Sequence, residues 1–189
     1  KIIMVNIIRS LILSLIGLGT LAWLSIVLIS IMLVGPNPDG ALTEFFAEYI
    51  IVSTRIEELG YTFSEISDEL FILVAHMNIT LLLLTLLMTL GWTTWSHYLN
   101  IDAPGKAKIY FIHWIIFTGV LVAILLAVIF FFTQTTQYNA ADLIGNSGYA
   151  ILSSSAIFYF LMYYAGVLLG TARFARSSVL LANKLPGGF

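Results

Sequence analysis

Four stretches of this chain run without a single Asp, Glu, Lys or Arg for long enough to cross a lipid bilayer: residues 10–38, 70–101, 109–141 and 143–172. A crossing takes about 20 mostly apolar residues, because a helix rises about 1.5 Å per residue through the hydrocarbon. No water is present there to satisfy the backbone, so a helix, which bonds its own N–H and C=O groups, is what such a stretch adopts. The chain is 60% hydrophobic with a mean hydropathy of +1.00, too apolar to cover the surface of a water-soluble domain. The expected fold class is an all-α integral membrane protein with four transmembrane helices, over about residues 7–34, 68–99, 107–133 and 148–172.

Charge then orients the helices. Lys1, Arg9, Lys106, Lys108, Arg173, Arg176 and Lys184 fall at the N-terminus, in the second loop and in the C-terminal tail. Positive residues in short loops stay cytoplasmic, so both termini are expected inside, in a membrane such as the prokaryotic cytoplasmic (inner) membrane. Asp39, Glu44, Glu48, Glu57, Glu58, Glu65, Asp68 and Glu69 crowd the first loop with Arg55 as their one counter-charge, and Asp142 sits in the third. Acidic residues contribute little to orientation, so their crowding needs a reason of its own. The uncharged run of span one is longer than the ~7 to 15 apolar residues of a secretory signal and reads as an anchor that stays. Without cysteine the chain has no disulfide, thiolate metal site or thiol nucleophile.

Residues 35–67 form the one extracytoplasmic segment large enough to have structure of its own. Gly35, Pro36 and Pro38 break the first helix. Beyond them, Leu42, Phe45, Tyr49, Val52, Ile56 and Leu59 recur in steps of three and four, which predicts an amphipathic helix over about residues 41–59. That apolar phase continues into span two, yet one straight helix would lift Ala41 about 45 Å above the membrane. The few residues from Gly35 climb only about 20 Å when fully extended. The helix must bend, and Gly60 followed by Thr62-Phe63-Ser64-Glu65, a capping-box pattern, is the natural place. Interfacial helices that bind anionic lipid carry Lys and Arg on the polar face, whereas this one carries Glu. Protein contact fits better, and Glu44, Glu48, Tyr49, Glu57 and Glu58 are the candidate partner-binding residues.

Asn100 to Lys106 form a tight turn, residues 134–148 a polar surface loop, and residues 173–189 a basic cytoplasmic tail. No Asp, Glu, Lys or Arg lies mid-span, which counts against an ion-coupled transporter. In span two, Thr85, Thr89 and Thr93 share a face with Asn78 and His97. A Thr hydroxyl can bond its own helix backbone, so the row is inexpensive in lipid and reads as helix packing, with the lining of a homo-oligomeric pore as the alternative. In span four, Gly166 and Gly170 form a GxxxG pattern that permits close helix approach, and Ser10, Ser14, Gly17 and Thr20 form a similar line in span one. Gly166, Gly170, Thr85 and Thr89 are the candidate packing residues.

His97 and His113 can approach across the second loop, and helical bundles hold haem between such imidazoles. A b-type haem or quinone-handling subunit is therefore a rival reading, although His97 also sits in an aromatic belt with Trp92, Trp95 and Tyr98, where such a residue is expected anyway. Phosphate loops, hydrolase elbows and zinc motifs are missing, and a net charge of −2 without a concentrated basic patch excludes nucleic acid. The expectation is a non-enzymatic membrane subunit without cofactor or metal, in contact with membrane lipid. It would assemble with itself or with membrane partners, docking an extracytoplasmic protein at the acidic loop and a cytoplasmic one at the basic face, as a scaffold or sensor.

Overall fold

The computed structural model describes residues 2–34, 63–98, 106–134 and 144–171, together with Phe45, Tyr49, Glu58 and Gly60. These residues form four long helices and no strand: α1 (Ile2–Val34), α2 (Phe63–Ser96), α3 (Lys106–Gln134) and α4 (Asn146–Thr171). Gly60 sits at φ +73, a left-handed conformation open to glycine and strained for other residues, and α2 begins three residues later. At the other end of α2, His97 N–H donates to Thr94 O at 3.2 Å and Tyr98 N–H to Trp95 O at 3.0 Å, tightening the last turn. α4 starts where the carbonyl of Gly145 accepts the N–H of Tyr149 at 3.0 Å.

Three of these helices are long and apolar enough to cross a membrane, over Leu70–Ser96, Ile112–Gln134 and Gly148–Gly170. α1 passes the same test when its two halves, Met4–Gly19 and Leu21–Met32, are counted together, with a bend of 48° between them. Glycine is a poor helix former and small residues are frequent at kinks, so Gly17, Gly19 and Thr20 account for the position of the bend. Hydropathy along the first span gives no hint of it.

Burial on α1 does not follow hydrophobicity as it would in a water-soluble helix, because small and polar residues are buried beside Leu18, Ile29 and Met32. On α1, Ser10, Ser14, Gly17 and Ser25 are buried, whereas Ile12, Ile16 and Trp23 are exposed. Apolar side chains lose nothing by facing lipid, so helices in membranes meet through small and hydroxyl-bearing residues that allow close packing.

The chain divides into two compact units, each drawing on all four helices. One comprises residues 1–23, 83–124 and 159–189, and the other residues 24–82 and 125–158. The first holds seven of the eight Lys and Arg residues and, among the acids, only Asp102; the second holds the other nine acids with Arg55. The core of the second is mainly aliphatic, with Ile29, Leu70, Val74, Leu81, Leu125 and Ile129 buried and Asn78 Nδ2 donating to Val74 O at 2.8 Å. The first has a more polar interior, built around serine, threonine and glycine.

The turn after span two, the loop after α3, the tail at 173–189 and most of the expected helix at 41–59 lie outside the described residues, Glu44, Glu48 and Glu57 among them. Within that helix, Phe45 and Glu58 are helical, and the rings of Phe45 and Tyr49 lie 5.3 Å apart. Both rings and Glu58 are exposed.

Candidate functional site

The polar interior of the basic unit is a seam made by three helices. Ser14 on α1 and Thr93 on α2 share a hydroxyl–hydroxyl hydrogen bond of 2.8 Å, with both residues fully buried. One turn back along α1, Ser10 Oγ lies 2.8 Å from His97 Nε2. Within α2, Thr89 donates to the carbonyl of Thr85 at 2.7 Å and Ser96 to that of Thr93 at 2.7 Å. The hydroxyl of Thr85 is buried without a partner, as is the indole N–H of Trp92.

α4 closes the seam with Gly166 and Gly170, both buried. A Cβ built on Gly166 would come within 2.7 Å of Thr89 Cγ2 and 2.9 Å of Leu18 Cγ. At Gly170 it would overlap the Ser14 hydroxyl and approach Ser10 O at 3.1 Å. From the opposite side, a Cβ on Gly17 would lie 3.2 Å from Gly166 Cα and 3.0 Å from Ala165 O. Without side chains at these positions, the α1 and α4 backbones approach closely enough for the short serine and threonine side chains to bridge from α1 to α2.

Ser10 and His97 have the spacing of a nucleophile and its base, yet Ser10 is fully buried, so no substrate reaches its oxygen in this conformation. The pair joins α1 to the end of α2. Burial pushes the His97 imidazole below its ordinary pKa, because a desolvated imidazolium is disfavoured. Reading span one for its small residues missed this bond, since Ser10 and His97 are 87 residues apart.

His113 has different surroundings. It is exposed and lines a groove of about 370 Å³ between α2 and α3 in the same unit. From α2 the groove takes Met88, Trp92 and Trp95, and from α3 it takes Ile116, Phe117 and Val120 beside His113. Trp92 is buried against Phe117 with ring centroids 5.4 Å apart. The structure thus gives the two histidines separate partners: His97 bonds a serine of α1, and His113 belongs to the groove. Among the described residues no three His, Cys, Asp or Glu side chains come together as a metal site. His76 is exposed on α2, and its carbonyl accepts the hydroxyl of Thr80.

No family model, curated protein or solved structure matches this chain.

Proposed function

We propose that the chain is a non-catalytic membrane subunit that crosses the bilayer four times, with both termini inside, and works in an assembly with copies of itself or with other membrane proteins. The observation that carries this reading is the uncovered face of α3. Only 17% of its membrane-spanning window is buried within the chain, against 44% for α2 and 39% for α4. Gly119, Ala123 and Ala127 are exposed at successive steps of four on that helix, and a Cβ added at Gly119 would meet nothing within 4 Å. Small residues in this register let a second helix approach closely, as Gly166 and Gly170 do on α4.

The distribution of charge along the chain supports the orientation. In this reading the N-terminus, the second loop and the tail, which carry seven of the eight cationic residues, are cytoplasmic, and the acidic first loop with Glu44, Glu48, Tyr49, Glu57 and Glu58 is the outer docking surface. In this reading the subunit serves as scaffold or sensor, linking a partner at that loop to a cytoplasmic partner at the basic face. The burial of Thr85, Thr89 and Thr93 inside the chain favours packing over a pore lining, which would need the row at a surface.

Replacing Gly119 and Ala123 by Leu tests the reading, because both positions are exposed within the chain and tolerate the added bulk there. The double variant is expected to insert and keep its helicity while falling out of the larger complex on a native gel. Unchanged migration would remove α3 as the assembly surface.

A further inference from the structure

We draw no further inference here: the strongest candidate, the apolar groove between α2 and α3 lined by Trp92, Trp95, His113 and Phe117, opens on the α3 face already given to assembly, and nothing in the structure shows what covers it.

Discussion

Gly170 on α4 and Ser14 on α1 approach so closely that a single methyl on the glycine would overlap the serine hydroxyl. Rotating Ser14 out of the way would forfeit its 2.8 Å bond to Thr93, and the carbonyl of Ser10 waits behind it at 3.1 Å. Gly170→Ala should therefore destabilise the fold by about 1–3 kcal/mol, the usual cost of overpacking. Gly119→Ala, at an open helical position, should be neutral or stabilise the monomer by up to about 1 kcal/mol. Unfolding midpoints in mixed micelles check the contrast; equal effects at the two glycines would contradict the close approach.

The three buried threonines of α2 should not respond alike. Thr93→Val leaves Ser14 without its partner and should cost about 0.5–2 kcal/mol, with a comparable coupling to Ser14→Ala in a double-mutant cycle. Thr89→Val removes only a bond to its own helix and should cost less. Thr85→Val replaces a buried hydroxyl that has no partner by an isosteric methyl and should be neutral or stabilising. Uniform losses at all three threonines would show that the seam is not partitioned in this way.

Acid should loosen the join between α1 and α2. Burial lowers the folded-state pKa of His97 below its ordinary 6.5, so between the two values the unfolded chain binds more protons than the folded one. The contribution is complete above about pH 6.5 and is lost as pH falls through the lowered value. The thermal midpoint of detergent-solubilised protein should drop between pH 7.5 and 5, and His97→Gln, which keeps a hydrogen-bonding side chain, should flatten that part of the profile. A wild-type midpoint that rises on acidification would reverse the assigned sign.

Charge reversal at Glu48 and Glu58 addresses the outer loop. The pair Glu48→Lys and Glu58→Lys is expected to weaken capture of an extracytoplasmic partner at least severalfold while insertion and helix content stay unchanged, as far as close charge pairs govern such contacts. Quantitative co-purification from cross-linked cells reads the effect. Undiminished recovery of partners would end the docking role given to these residues.

Much of the helical layout was legible because lipid restricts what a chain can do. Absence of charge located the long helices, and simple reach arithmetic required the break that the backbone makes at Gly60 before α2 begins at Phe63. The seam was legible only as composition. A threonine can bond its own helix, as Thr89 does, or a neighbouring one, as Thr93 does, and the sequence reads the same in both cases. The bend in α1 and the different surroundings of His97 and His113 were hidden for a related reason. Each depends on which helix lies alongside, and proximity across the second loop said nothing of Ser10, 87 residues away.

The most direct test of the account is the mass of the wild-type particle extracted in mild detergent, with its protein components identified. A single chain weighs 20.9 kDa. Assembly through α3 predicts a defined particle containing several copies or stoichiometric partner proteins. A monodisperse particle holding one chain and lipid alone, in every mild detergent tried, would contradict it.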